Sequence, residues 1–262
     1  TMQHFYYLIV FICIVLCNSS CTETLIHNFD VEVNDNYIGF DPKTINNNDA
    51  IECDVANDVA TLYSNDVFVV ATQLLQTESN EVLIGESYQN EALRLLNAVY
   101  QSNSPARDSA VVQFSIHDYT ATATKNLFMA ADESNVWVQN LKNGLPSGNP
   151  IVDNLVNSFD LSIHYENFLS VFVIEMPSNI VPAHLAQEFN NISGVSYAEV
   201  QPIEGDGNHI TVTPQFGYTD MTYSYGFGDC FAGCIGRWNW VFRVYPDCTT
   251  EYLSSYGTPI EQ

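Results

Sequence analysis

Six histidines are the side chains best suited to proton transfer in this sequence, because an imidazole loses its proton near neutral pH. They are His4, His27, His117, His164, His184 and His209. None has a serine, a cysteine or a second histidine at a recognised catalytic spacing, and the sequence has no Gly-x-Ser-x-Gly, His-Glu-x-x-His or glycine-rich phosphate-binding motif. His117 and Asp118 are adjacent, and on the strand predicted there they would point to opposite faces. We therefore assign no catalytic residue and expect no cofactor.

A second group of candidates lies in an aromatic and basic segment near the C-terminus. Trp238 and Trp240 are two residues apart on a predicted strand, and Arg237 and Arg243 lie beside them. Aromatic rings next to guanidinium groups can bind sugars or peptides. Alternating aromatic residues on a strand are more often one buried face, so this segment predicts a ligand surface only if the tryptophans are exposed.

The N-terminal segment indicates export from the cytoplasm. Residues 5–17 are an unbroken apolar run, too short to cross a membrane of roughly 30 Å as a helix but typical of a signal peptide. The sequence that follows, Asn18-Ser19-Ser20-Cys21, resembles a bacterial lipobox. We therefore predict that Cys21 is lipidated and becomes the mature N-terminus. Asn18 replaces the usual aliphatic residue, which leaves plain secretory cleavage as the alternative.

Export changes the expected chemistry of the cysteines. Four of the seven lie beyond the signal peptide and lipobox, namely Cys53, Cys230, Cys234 and Cys248. Disulfides are the default in an oxidising compartment, and four cysteines allow three connectivities. We expect Cys234 to bond Cys248, with Cys230 free to pair with Cys53 or to stay local. A Cys230–Cys234 bond is the alternative if the two residues before Cys234 form a tight turn. A zinc site is disfavoured, since no second Cys/His pair has a comparable spacing, and no metal is expected.

The charge balance excludes several classes of partner. The chain has 31 acidic and 7 basic residues and a formal net charge of −24. Nucleic acids and anionic lipid surfaces both require a basic surface, so neither is expected as a partner, and contact with a membrane would rely on the lipid anchor alone. With 46% hydrophobic and 13% aromatic residues, the chain has ample material for a folded core.

Apolar periodicity and turn signals predict alternating helices and strands. The predicted helices are 87–101, 133–143, 149–159 and a segment capped by Ser178-Asn179 with Pro182 in its first turn. The predicted strands are 110–119, 126–131, 161–165, 168–176 and 195–203. From 126 to 203 the order is β-α-α-β-β-α-β, which predicts an α+β fold with helices packed on a mixed or antiparallel sheet and ferredoxin-like βαβ elements.

The last part of the chain is aromatic, rich in glycine and strand-like. Its clearest strand is 238–245, and three cysteines surround it. This pattern predicts a disulfide-stapled β-hairpin or meander that closes the domain. The predicted organisation is a signal peptide at 1–20, an acidic, asparagine-rich tether at 21–60, an α+β domain at 61–204 and, packed on it, an aromatic, cysteine-containing β subdomain at 205–262.

Two stretches resemble known families. Residues 228–248 match Asp-Cys-x-x-Gly-Cys-Ile, then Trp-x-Phe-x-Val and a further cysteine, which resembles the closing signature of a family of secreted proteins and lipoproteins of Gram-negative bacteria. The resemblance covers about residues 87–257 and implies export, but no activity and no site residue. Residues 178–200 are similar to the second half of subtilisin-type propeptide domains. That resemblance implies a ferredoxin-like βαβ unit that places a strand against a protease.

These observations lead to one expected function and two alternatives. We expect an exported, lipid-anchored protein of the cell envelope, at the outer membrane or else secreted, with a non-catalytic binding or structural role and an unknown envelope or extracellular partner. One alternative is a secreted hydrolase whose site is assembled from distant residues. The other is a propeptide-like protease inhibitor, which requires residues 195–203 to form an accessible edge strand.

Overall fold

The computed structural model describes residues 56, 58–122, 126–203 and 205–260. Its α-helices are α1 (Val59–Leu62), α2 (Ser64–Glu78), α3 (Glu86–Gln101), α4 (Pro105–Arg107), α5 (Val136–Lys142), α6 (Pro150–Ser158) and α7 (Pro182–Asn190). Its strands are β1 (Asn126–Ala131), β2 (Ser162–Glu166), β3 (Val171–Glu175), β4 (Val195–Val200), β5 (His209–Gln215), β6 (Tyr218–Phe227), β7 (Gly236–Val244) and β8 (Thr250–Gly257). None of the helices in these residues is long and apolar enough to cross a membrane.

Strands β1 to β4 form an antiparallel sheet in the order β2-β3-β1-β4. Helices α5 and α6 connect β1 to β2, and α7 connects β3 to β4. The predicted order β-α-α-β-β-α-β is therefore confirmed, and the strand order is that of a ferredoxin-like fold. The three helices cover the sheet around a core that includes Leu127, Phe172, Ile174 and Phe189.

Strands β1 to β4 and helices α5 to α7 together form the ferredoxin-like lobe. Local signals explain where its helices begin. Asn149 caps α6 as predicted, because its side chain accepts hydrogen bonds from two backbone N–H groups of the first turn. The predicted cap of α7 at Ser178-Asn179 is wrong, since α7 begins at Pro182 with Val181 as its N-cap residue. Residues 179–181 instead form a short antiparallel bridge to residues 82–84, which draws them away from the helix.

The second sheet is a meander in the order β5-β6-β7-β8, with every neighbouring pair antiparallel. This confirms the predicted C-terminal meander. Its core-facing side packs against helices α1 to α3. The core that results includes Tyr63, Leu95, Tyr223, Trp240 and Phe242.

Two segments of the first hundred and twenty residues differ from the prediction. Helices α1 and α2 were not predicted, and Tyr63, which separates them, gives no capping signal. The predicted strand at 110–119 is wrong, because residues 108–113 form a π-helix that continues from α4. Ser104 starts this helical segment by accepting a hydrogen bond from the N–H of Arg107, and Pro105 follows it at the first helical position.

The two cores divide the chain in an interleaved way. One core joins residues 59–116 and Val181 to strands β5–β7, and the other is built from residues 127–198. The predicted boundary between residues 204 and 205 therefore does not coincide with the division between the cores. Along the sequence, the ferredoxin-like lobe is therefore inserted between helices α1–α3 and the sheet β5–β8, which share the first core.

Candidate functional site

A buried carboxylate in the first turn of α2 orients one of the histidines. Asp66 is 1% exposed, and its Oδ2 lies 2.7 Å from Nδ1 of His117. Its Oδ1 accepts a hydrogen bond of 2.6 Å from the backbone N–H of Asp118. Burial raises the pKa of the Asp66 carboxyl, and the hydrogen bond to Asp66 raises the pKa of His117. The pair therefore fixes the imidazole ring of His117 against α2.

The neighbouring carboxylate, Asp118, points to a different strand. Its Oδ2 accepts a hydrogen bond of 2.8 Å from the N–H of Ile210 and lies 3.7 Å from Nδ1 of His209. Thr120 donates to its other oxygen from both its backbone N–H and its hydroxyl. Burial opposes ionisation, but the nearby imidazole of His209 and the hydrogen bonds from Thr120 and Ile210 outweigh it, so the pKa of Asp118 is lowered. His117 and Asp118, which are adjacent in sequence, thus connect two elements: both contact Asp66 of α2, and Asp118 also bonds Ile210 of β5.

A third carboxylate, Asp206, organises the turn before β5. Its Oδ1 lies 2.9 Å from Nε2 of His209, and its Oδ2 accepts a hydrogen bond of 2.7 Å from Nη2 of Arg237. Arg237 also donates to the hydroxyl of Ser224. The guanidinium of Arg237, with His209, holds the pKa of Asp206 well below its ordinary value. His209 lies between Asp118 and Asp206, and the Asp118 carboxylate 3.7 Å from its ring is the main reason that its own pKa is raised.

Asp206 also fixes a disulfide-bonded loop, residues 228–235, which we call the stapled loop. Cys230 and Cys234 form its disulfide, with their Cα atoms 3.9 Å apart. Asp206 donates its backbone N–H to the carbonyl of Cys230, and its carboxylate accepts from the N–H of Cys234. Phe231 and Ile235 are 77% and 79% exposed on this loop. The loop therefore holds two large apolar side chains out in solvent.

The disulfide corrects the predicted pairing of Cys234 with Cys248. Cys234 precedes β7 and Cys248 follows it, so about 30 Å of extended strand separates them, far beyond the reach of a disulfide. Gly233, with a φ of +106°, allows the tight turn that brings Cys234 back to Cys230. Cys248 is disulfide-bonded as well. Cys53, like Cys21, lies outside the described residues.

The predicted tryptophan and arginine surface is divided between two faces of the sheet. Trp240 is 6% exposed and packs on Phe114, with ring centroids 5.5 Å apart, and Trp238 packs against the same core. Arg237 lies on the opposite face of β7 with its carboxylate partner. Arg243 is also on that face, where it donates two hydrogen bonds to Asp220 and lies over the ring of Tyr218. The four residues therefore do not form one ligand surface.

An open groove of about 410 Å³ lies between α5 and the start of α6. The residues that line it are Val136, Trp137, Asn140, Ser147, Gly148, Asn149 and Pro150. None of these side chains titrates, so the groove offers no acid or base. The His–Asp pairs described above lie on other elements of the chain.

The strand required by the inhibitor hypothesis is an edge strand of its sheet, since β4 pairs only with β1. The centre of its outer edge is occupied, however. The side-chain amide of Asn190 donates to the carbonyl of Ala198 at 2.8 Å, and its oxygen accepts from the N–H of Ala198 at 2.6 Å. A single side chain thus takes both hydrogen-bonding groups that an added strand would use there.

Sequence reasoning did not identify Asp66, Asp206 or Asn190 as organising residues. Asp206 lies in a glycine-rich turn, which is the only local signal any of the three carries. The remaining described histidines have separate contacts: His164 lies 3.9 Å from Glu175, and His184 lies 2.7 Å from the carbonyl of Glu81. Within the described ranges, no group of three or more His, Cys, Asp or Glu side chains is arranged to hold a metal ion.

Comparisons of the chain with protein-family models, with curated proteins and with solved structures give no match.

Proposed function

We propose that this is an exported, lipid-anchored protein of the cell envelope with a non-catalytic binding role, and that the stapled loop is its contact surface. The observation that carries the proposal is the exposure of Phe231 and Ile235 on a loop held by a disulfide and by Asp206. A large aromatic side chain presented on a constrained loop is typical of residues that contribute most to a protein interface.

The rigidity of the loop favours binding for a thermodynamic reason. A flexible loop loses conformational entropy when it is immobilised by a partner, whereas a loop that is already constrained loses little. The net charge of −24 adds a second preference, since a partner with basic residues around an apolar pocket would be attracted electrostatically. The partner expected from this chemistry is an envelope or extracellular protein with such a pocket.

The arrangement of the charged groups supports a role without catalysis. Asp118, Asp206 and Arg237 are each bound to two or more groups and join the stapled loop, β5 and α2. The groove beside α5 has no titratable lining. Charged groups that bind one another in this way stabilise the fold and leave few lone pairs or protons for a substrate.

The contact surface is tested by replacing Phe231 with alanine. Phe216 is the matched control, because it is fully exposed on the β5–β6 turn, at the other end of the sheet from the stapled loop. Proteins cross-linked to wild type, Phe231→Ala and Phe216→Ala in envelope preparations are compared by quantitative mass spectrometry. We expect one partner to be recovered at least tenfold less with Phe231→Ala and unchanged with Phe216→Ala. Equal recovery with both variants would reject the loop as the binding surface.

The lipid anchor is tested separately at Cys21. Expressed in a Gram-negative host, the protein is expected to partition into detergent and to lose its membrane association in Cys21→Ser. The change removes the thiol that accepts the lipid and leaves every residue of the described domain intact. If the variant and the parent fractionate alike, secretion without an anchor replaces this part of the proposal.

A secreted hydrolase is the second candidate, and one observation favours it. The His117 side chain is 40% exposed while its Nδ1 is held by buried Asp66, which is the arrangement of a histidine that acts as a general base through Nε2. Its test is hydrolysis of ester, peptide and glycoside substrates by wild type, His117→Ala and the surface control His164→Ala. Activity lost only in His117→Ala would support this candidate, and no activity in any of the three would reject it.

We do not assign the inhibitor function to β4. Strand addition there would require an incoming chain to displace Asn190 from Ala198, and this exchange would lose as many hydrogen bonds as it gains at that position.

A further inference from the structure

The outer edges of the sheets differ in how they are protected. On β4, Asn190 bonds both backbone groups of Ala198. On β5, the side-chain amide of Gln73 donates to the carbonyl of Ile210 and accepts from the N–H of Val212, while Asp118 accepts from the N–H of Ile210. Side chains thus take up outward-facing backbone groups near the middle of β4 and in the first half of β5.

Strand β8, the other edge of the second sheet, has no such protection in the part of the chain that the structure describes. Thr258 donates its N–H to Arg237 and Tyr245 donates to Thr249, which fixes which residues of β8 face β7. The residues that turn their backbone N–H and C=O groups outward are therefore Thr250, Tyr252, Ser255 and Gly257. None of the described hydrogen bonds uses these outward groups. Tyr252 and Tyr256 are 39% and 56% exposed, so the edge is accessible.

A bulge in β8 makes the positions of its outward-facing residues symmetric about the middle of the strand. The register with β7 shifts between Val241 and Phe242, and Leu253 is the extra residue on β8. If a second copy of the chain lies antiparallel with the twofold axis between Leu253 and Ser254, Tyr252 stands opposite Ser255 of the second copy. Thr250 then stands opposite Gly257 of the second copy. Every outward-facing residue meets another outward-facing residue, and each such pair can exchange two hydrogen bonds.

Charge is compatible with this pairing, although the chain as a whole repels its copies. Glu251 is the one charged residue of β8, and in this register it faces Tyr256 of the second copy and not the other Glu251. Direct like-charge contact, which destabilises strand pairs, is avoided. The repulsion that remains is long-range, and it is screened beyond about 8 Å at physiological ionic strength.

We propose that β8 pairs with β8 of a second copy of this chain, joining the two meanders into one continuous eight-stranded sheet. The interface is independent of the stapled loop, which lies between β6 and β7 at the end of the meander. It is also independent of whether the protein binds an envelope partner or has hydrolase activity.

The mass of the detergent-solubilised full-length chain, measured by sedimentation at low and high salt, tests the proposal. We expect a dimer whose affinity rises with salt. Ser255→Pro removes the outward N–H from the two pairs beside the twofold axis, one contributed by each copy, while an edge strand tolerates proline there, so the dimer should dissociate at least tenfold more readily. Ser255→Ala keeps the N–H and should remain dimeric.

Hydrogen exchange of the wild-type protein provides a second measurement that needs no variant. The amides of Tyr252 and Ser255 should be protected when the protein is concentrated and should exchange rapidly when it is dilute. A monomer at all concentrations and salts would overturn the proposal. A dimer in which these two amides stay unprotected, or one that Ser255→Pro leaves unchanged, would overturn it equally.

Discussion

Asn190 and Gln73 each use one carboxamide group to satisfy two backbone groups at the edge of a sheet. A carboxamide carries a donor and an acceptor at nearly the spacing of a peptide group, so it can replace a short piece of an adjacent strand. Both residues come from helices, and both therefore attach a helix to the edge of the sheet it covers.

Asn190→Ala is expected to lower the free energy of unfolding by about 1–2 kcal/mol, because it removes two hydrogen bonds from a backbone position that is largely buried. The adjacent Asn191 is the matched control, since it is exposed and its side chain has no described hydrogen bond. Urea denaturation of the two variants and the wild type measures the difference. Equal midpoints for Asn190→Ala and Asn191→Ala would contradict the role given to Asn190.

Contacts of this kind explain why the candidate site was only partly predictable. His117 and Asp118 could be identified as chemically interesting residues from their types, but their partners are distant in sequence: Asp66 is 51 positions from His117, and Ile210 is 92 positions from Asp118. No local pattern specifies such a pair. The exposure of Trp238 and Trp240 was likewise undetermined until the helices that cover them were placed.

At the scale of elements, several boundaries that carry their own chemistry were predicted correctly, although the cap expected at Ser178-Asn179 was not. Asn149-Pro150 begins α6, and Gly144 and Gly194, both with positive φ, follow α5 and α7. Helix α2 lacks such a boundary. The run at 110–113 has the composition of a strand, but the Ser104-Pro105 start makes the segment helical, so tertiary packing and an upstream cap outweighed propensity.

The disulfide between Cys230 and Cys234 limits the connectivity of the remaining cysteines. Because Cys230 and Cys234 pair with each other, Cys248 must use another cysteine, and Cys53 is the one left if the signal peptide is removed and Cys21 carries lipid. Peptide mapping without reduction should find Cys230–Cys234 and Cys53–Cys248.

The two bonds should differ in their effect on stability. Closing the short loop contributes about 2 kcal/mol in the chain-entropy description, whereas a bond that closes a loop of roughly 200 residues contributes about 5 kcal/mol. Cys248→Ser should therefore destabilise the protein more than Cys230→Ser does. The opposite order, or a Cys234–Cys248 peptide in the digest, would contradict this assignment.

At the scale of the whole molecule, the His–Asp pairs make stability depend on pH. The pKa values of His117 and His209 are raised in the folded state, so their contribution is complete below about pH 6.5 and is lost as pH rises through the raised values. The lowered pKa values of Asp118 and Asp206 act in the acid range, where their contribution is present above about pH 4 and is lost as pH falls further.

The free energy of unfolding should therefore fall as pH rises above about 6.5, by up to about 1 kcal/mol for each partly exposed pair. Urea titrations of wild type and His117→Gln/His209→Gln measure this, and the double variant should lose most of the slope. His164→Gln is the control, since His164 is exposed and lies in the other lobe. A slope that persists in the double variant would place the titrating groups elsewhere.

The interleaving of the cores has a consequence for synthesis. Helices α1 to α3 leave the ribosome first, but the sheet that covers their apolar faces is made last, and contacts such as Arg94 to Tyr245 and Thr250 to Ala98 join residues 151 and 152 positions apart. The buried residues of the ferredoxin-like lobe all lie between 127 and 198, so the residues of its core are synthesised before the sheet β5–β8. Until β8 is complete, the nascent chain carries the whole of that lobe beside three unprotected helices. The apolar faces of those helices are therefore the part of the nascent chain most open to aggregation.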